Sequence, residues 1–148
     1  MRIDDRTILR LAAATVFIQA LGHGLLFVTG TPGKRIDEIS LTKVMRQVKF
    51  TRFGFNPSYW DFYFGYGLMA AFTVLIEAIL FWQLSRLSKT APAAIRPIAA
   101  LFIFANAVHF VLIAIYFDLL LPAVFDMIIV GLLTVVYLRS AKPIADAH

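Results

Sequence analysis

Cysteine is missing from this chain, and charge is scarce. Without a thiol there is no disulfide, no thiolate nucleophile and no thiolate metal site. Charged residues make up 16% of the 148 residues and hydrophobic residues 60%, against roughly 25% and 45–50% in soluble domains. That balance excludes an ordinary water-soluble domain and points to an integral membrane protein. Catalytic signatures are also absent: there is no H-E-x-x-H, G-x-S-x-G, Walker A or G-x-G-x-x-G. "GYG" at Gly65 to Gly67 lacks the Thr-Val that would make it a potassium filter. Small residues there are expected to let helices approach closely.

What is present is length of apolar run. A membrane-crossing helix needs about 20 predominantly apolar residues, and four segments qualify, at 11–28, 59–84, 97–117 and 122–138. They leave little chain for anything else, so residues 1–148 are read as a single all-α transmembrane domain, an antiparallel four-helix bundle. The first segment follows "MRIDDRTILR", a charged start like that of a signal peptide, but no small-x-small cleavage site follows it. It is expected to be a retained span. The net charge of +5 is assigned to membrane topology, with no nucleic-acid partner. Four spans put both termini on one side, with Arg2, Arg6, Arg10, Arg86, Lys89, Arg96, Arg139 and Lys142. The first loop carries Lys34, Arg35, Lys43, Arg46, Lys49 and Arg52. By the positive-inside rule the termini are expected in the cytoplasm of a bacterial inner-membrane protein.

The first loop, "TGTPGKRIDEISLTKVMRQVKFTRFGFNPS", is the longest polar stretch. In it Ile36, Leu41, Val44, Met45 and Val48 recur near helical spacing with Lys43, Arg46 and Lys49 between them. This reads as a short amphipathic helix on the membrane surface, with a solvated linker as the alternative. Ser58 stands three before Asp61, the spacing of a capping box, so Asp61 is read as a cap. Tyr59, Trp60, Tyr63 and Tyr66 form an aromatic belt at the entry of the second span. Pro92 or Pro97 opens the third span. The short "DLLLP" turn makes the third and fourth spans antiparallel neighbours.

Residues three or four apart share a helix face, and each span has one polar stripe. Thr15, Gln19 and His23 lie on the first; Tyr63, Tyr66, Thr73 and Glu77 on the second. Asn106, His109 and Tyr116 mark the third, and Asp126 and Tyr137 the fourth. Polar groups in spans face the bundle interior or a wet cavity, so the stripes are expected to converge. Counting ~1.5 Å per residue from the ends joined to the first or third loop, Asp126 lies ~6 Å down, His23 ~8 Å, Tyr66 ~10 Å, His109 ~12 Å, Gln19 ~14 Å and Asn106 ~16 Å. These six are expected in one layer. Glu77, at ~27 Å, is expected to snorkel or to pair with Arg10 or Arg86.

The Gly-His-Gly near the end of the first span, followed by a polar loop and "FGFNPSYWDFYFGYGL", resembles small bacterial four-helix membrane proteins of uncharacterised function. "RLAAATVFIQALGHGLLF" and the overall size also look like DoxX-type membrane proteins, which are associated with quinone-linked redox systems. A similarity to the EXPERA sterol isomerase and sigma-2 receptor group rests on intramembrane acids and aromatics alone. None of these likenesses carries a catalytic signature, and no site residue is transferred from them.

Three functions follow from the polar layer. The first is a binder or acid/base enzyme for an apolar, lipid-like molecule such as an isoprenoid, quinone or sterol-like lipid. His109 or His23 would carry the proton, Asp126 would orient it, and Tyr66, Asn106, Gln19 and Tyr63 would contact the ligand. It needs no cofactor. The second is a non-enzymatic subunit or assembly factor of a homo-oligomer or larger membrane complex, in which the polar groups specify helix packing. The third is an electron carrier with His23 and His109 as axial ligands of a haem b.

Overall fold

Apolar side chains on every face of a helix suit a surrounding of lipid, and the computed structural model of the chain, describing residues 3–29, 35–117 and 119–140, is built of such helices. Four helices are long and apolar enough to cross a membrane: α1 (Asp5–Val28), α3 (Tyr59–Leu87), α4 (Pro92–Tyr116) and α5 (Leu120–Arg139). Between the first two lies α2 (Ile36–Gln47). The described residues contain no strand, only the isolated bridges Lys49 to Ser58 and Arg52 to Phe55. The all-helical membrane bundle expected from hydropathy is the observed class. Two compact units make it up, one of Met1–Gln19 with Leu75–His148 and one of Ala20–Val74.

The first unit is a ring of antiparallel neighbours. Arg139 on α5 donates to the carbonyl of Ile3 (2.6 Å) and lies 3.4 Å from Asp5 at the start of α1. Arg96 on α4 donates to the Tyr137 hydroxyl of α5 (3.4 Å). Phe81 on α3 meets Phe102 on α4 edge to face at 4.9 Å. The Arg10 guanidinium of α1 sits 4.9 Å over the Trp82 ring of α3. The order around the ring is therefore α1, α3, α4, α5. Its core follows the helical repeat: Leu9, Ala12, Ala13 and Val16 on α1, and Ile129, Leu133 and Val136 on α5, are buried, while Leu101, Phe104, Ile115 and Met127 are exposed. Because lipid tails are as apolar as leucine, such exposure costs nothing in a bilayer and small alanines at the contact let backbones approach.

Element ends obey local chemistry. Asp4 accepts from the Thr7 amide at 2.9 Å, and hydrogen bonds from Thr7 hold its carboxyl below the usual carboxylate range. Pro92 opens α4, where a missing amide hydrogen does no harm, and Pro97 falls inside the helix. The third span thus starts five residues before the expected 97, and the fourth at Leu120 rather than 122, so Pro122 lies in the first turn of α5. Asp118 of the turn lies outside the described residues, as do Arg2, Lys34 and Lys142 of the charge count.

In the second unit the capping box is present. The Asp61 amide donates to Ser58 Oγ (3.1 Å), while the Ser58 amide and hydroxyl donate to the Asp61 carboxylate at 2.9 and 2.7 Å. Asp61 is thereby committed to the helix start. Ser58→Ala is expected to lower stability by about 1 kcal/mol, read as a lower thermal midpoint in detergent. An unchanged midpoint would show that the start of α3 is held by other contacts. Also in this unit the Phe27 ring packs between His23 (5.0 Å) and Tyr63 (5.3 Å). It lies directly against Gly67, where a Cβ would overlap its ring atoms, so at Gly67 the close approach expected of "GYG" is realised.

Candidate functional site

The polar stripes of the first unit meet as hydrogen-bonded pairs, with one helix supplying each side chain except α4, which supplies two. Asp126 projects from α5, which buries it completely along with Ile129, Leu133 and Val136. His109 Nδ1 lies 3.1 Å from its Oδ1 and 3.0 Å from its Oδ2. Gln19 Nε2 of α1 donates to the same carboxylate at 3.5 Å. One turn along α4 from His109, buried Asn106 donates through Nδ2 to Glu77 Oε1 of α3 at 2.8 Å and to the Phe102 carbonyl at 2.9 Å. Burying such groups in an apolar surround costs several kcal/mol unless they are paired, and each of these carries a partner.

The short turn after α4 is what allows the His109–Asp126 pair, since it forces α4 and α5 antiparallel and side by side. The depth count from sequence anticipated this contact. The position of Glu77 is a correction: it joins Asn106 and pairs with neither Arg10, which stacks on Trp82, nor Arg86. Its depth was counted from the first residue of a 29-residue helix, nearly half as long again as the about 20 residues a span requires, so the count overstated how far it lies from the layer. The signal that could have found it was available: Glu77 shares the polar stripe of Tyr66 and Thr73.

Of the sequence candidates, the structure brings together Gln19, Asn106, His109 and Asp126. His23, Tyr63 and Tyr66 belong to the second unit, where His23 and Tyr63 flank Phe27 and the Tyr66 ring packs on Phe62 at 4.7 Å. Among the described residues no three His, Asp or Glu side chains converge as a metal site would need.

The cluster is asymmetric in access. Asp126 is 1% exposed by side chain and His109 49%, so the acid is sealed and the imidazole is reachable. With Nδ1 committed to the carboxylate, Nε2 is the nitrogen left to exchange a proton or hydrogen bond with a visitor. A cleft of about 500 Å³ runs between α3 and α4, lined by Leu80, Leu84, Ile98 and Phe102 with Arg86 and Thr90 at its polar end. Ile98, Phe102, Asn106 and His109 follow one another at spacings of four, four and three, and Glu77, Leu80 and Leu84 at three and four. The apolar cleft and the polar cluster therefore share the same faces of α3 and α4. In comparisons with protein-family models, with curated proteins and with solved structures, nothing matches this chain.

Proposed function

We propose that this integral membrane protein binds an apolar molecule bearing one polar end, of the isoprenoid, quinone or sterol-like class, and exchanges a proton with that end. The observation that carries this reading is the reachable imidazole of His109 on a fully buried Asp126. The buried carboxylate bonded to Nδ1 fixes the tautomer and holds the ring, so Nε2 is a proton carrier in its working orientation. The apolar cleft continuing along α3 and α4 suits the ligand's hydrocarbon part. Gln19 and Asn106, bonded to Asp126 and Glu77, hold the polar groups around His109 in place. The likeness to DoxX-type proteins favours the same ligand class.

Topology enters the same reading. Antiparallel packing gathers Arg6, Arg10, Arg86, Lys89, Arg96 and Arg139 at one end of the first unit, which supports cytoplasmic termini in a bacterial inner membrane. A second reading, a packing role in a subunit or assembly factor, is favoured by the completeness of the pairing: every polar side chain of the cluster already has an interhelical partner.

The two separate on extraction into polymer nanodiscs with native lipid, followed by mass spectrometry of retained small molecules. The binding reading expects one apolar species near stoichiometric ratio in the wild type, lost in His109→Gln and Asp126→Asn. A profile identical to bulk membrane lipid in all three would leave the packing role.

A further inference from the structure

The loop between α1 and α3 folds in a way that water would not favour. In α2, Leu41 and Val44, followed by Val48 just past its end, recur at spacings of three and four, and all three are exposed. Arg46, two residues beyond Val44 and so on the opposite side of the helix, lays its guanidinium 4.6 Å over the Trp60 ring of α3. The helix thus holds the protein through Arg46 and turns its apolar stripe outward. None of its residues is buried.

The chain then forms a two-residue hairpin. The Arg52 amide donates to the Phe55 carbonyl (3.0 Å) and the Phe55 amide to the Arg52 carbonyl (2.9 Å), and the Phe50 amide donates to the Pro57 carbonyl (3.1 Å). Both central residues have positive φ, 49° at Phe53 and 82° at Gly54, as a type I′ turn requires. Glycine adopts this freely, but phenylalanine there costs about 1–2 kcal/mol. Asparagine or glycine would suit the turn better. A large aromatic instead occupies the strained position and is 96% exposed, with Phe55 beside it at 74%.

Charge identifies what covers this surface. From Ile39 to Trp60 the chain carries Lys43, Arg46, Lys49 and Arg52 and no acid. The acids Asp37 and Glu38 lie at the other end of α2, where Asp37 pairs with Arg35 at 2.9 Å. The loop is also tethered at both ends to helices long enough to span a membrane, so a bilayer surface is within its reach at all times. We infer that α2 and the Phe53 hairpin form a platform that docks on the anionic headgroups of its own leaflet. Phe53 and Phe55 enter the acyl boundary, Leu41, Val44 and Val48 lie along it, and Lys43, Lys49 and Arg52 face lipid phosphates. This holds whether or not the polar cluster binds a ligand.

The lack of cysteine makes the test direct. Phe53→Cys and, as a control, Gln47→Cys are labelled with an environment-sensitive fluorophore in the full chain, reconstituted in vesicles of neutral or of 30% anionic phospholipid, roughly the range in which surface potential acts on basic segments. Quenching by lipids carrying a shallow nitroxide is compared with quenching by aqueous iodide. The label at 53 is expected to be quenched by the lipid nitroxide and protected from iodide, more so in anionic vesicles, while the label at 47 remains open to iodide. Combining Phe53→Cys with Lys43→Gln, Lys49→Gln and Arg52→Gln is expected to reduce the ratio of inserted to free hairpin roughly fivefold per cation, as ~1 kcal/mol per basic residue implies. A label at 53 open to iodide in both vesicles overturns the inference. So does a label shielded from both quenchers, which would mean that a second copy or another protein covers the hairpin, and so does equal insertion with and without the cations.

Discussion

His109→Ala lowers the unfolding free energy by roughly 1–3 kcal/mol, the cost of leaving a buried polar group without its main partner. Asp126 is fully buried, and without the imidazole its carboxylate keeps only the Gln19 amide, at 3.5 Å. Asp126→Asn behaves differently, because the amide oxygen still accepts from Nδ1–H of His109. Its stability is expected within about 1 kcal/mol of wild type, whereas any proton-transfer activity falls by about 10²-fold or more, since no negative charge supports the imidazolium. Replacing both residues by leucine restores much of the stability lost in His109→Ala, because removing both members of a pair leaves nothing unsatisfied. Denaturant-induced unfolding in mixed micelles reads all of these. If His109→Ala unfolds at the wild-type midpoint, the pair does not hold α4 to α5.

Gly67→Ala destabilises the second unit by roughly 1–3 kcal/mol, as overpacking does. Elsewhere in a helix the same change would stabilise by about 1 kcal/mol through backbone entropy, so the sign of the effect is itself the test. At Gly67 a Cβ would overlap the Phe27 ring, whereas at Gly65 nothing lies within 4 Å. Gly65→Ala is therefore expected to be neutral or mildly stabilising, and Phe27→Leu to rescue Gly67→Ala by removing the ring. Thermal midpoints of the four proteins in one detergent decide it. Equal midpoints for the Gly65 and Gly67 variants would mean that α1 and α3 do not meet at Phe27.

Much of the polar cluster was legible because membrane helices are one-dimensional in a useful sense. A fixed rise per residue converts sequence position into depth, and a short turn converts chain neighbours into spatial ones. His109 and Asp126 satisfied both conditions. Glu77 satisfied neither, because α3 is 29 residues long and no short turn ties a known residue to its level. Its hydrogen bond to Asn106 reflects how far α3 slides along α4, which packing of Phe81 against Phe102 sets.

By itself, the sequence determined the helical class, the number of helices able to cross a membrane, the capping of α3 by Ser58 and Asp61, and the polar stripe on each helix. All of these depend on composition and on interactions within about one helical turn, where spacing fixes geometry. Only the tertiary structure decided which stripes meet, that Arg10 faces Trp82 while Glu77 faces Asn106, and that Arg46 holds α2 with its apolar side outward. Those choices turn on the ring order and axial offset of helices whose surfaces are apolar all round. Period alone cannot rank one apolar face against another, so the few buried polar pairs and close ring contacts select the arrangement.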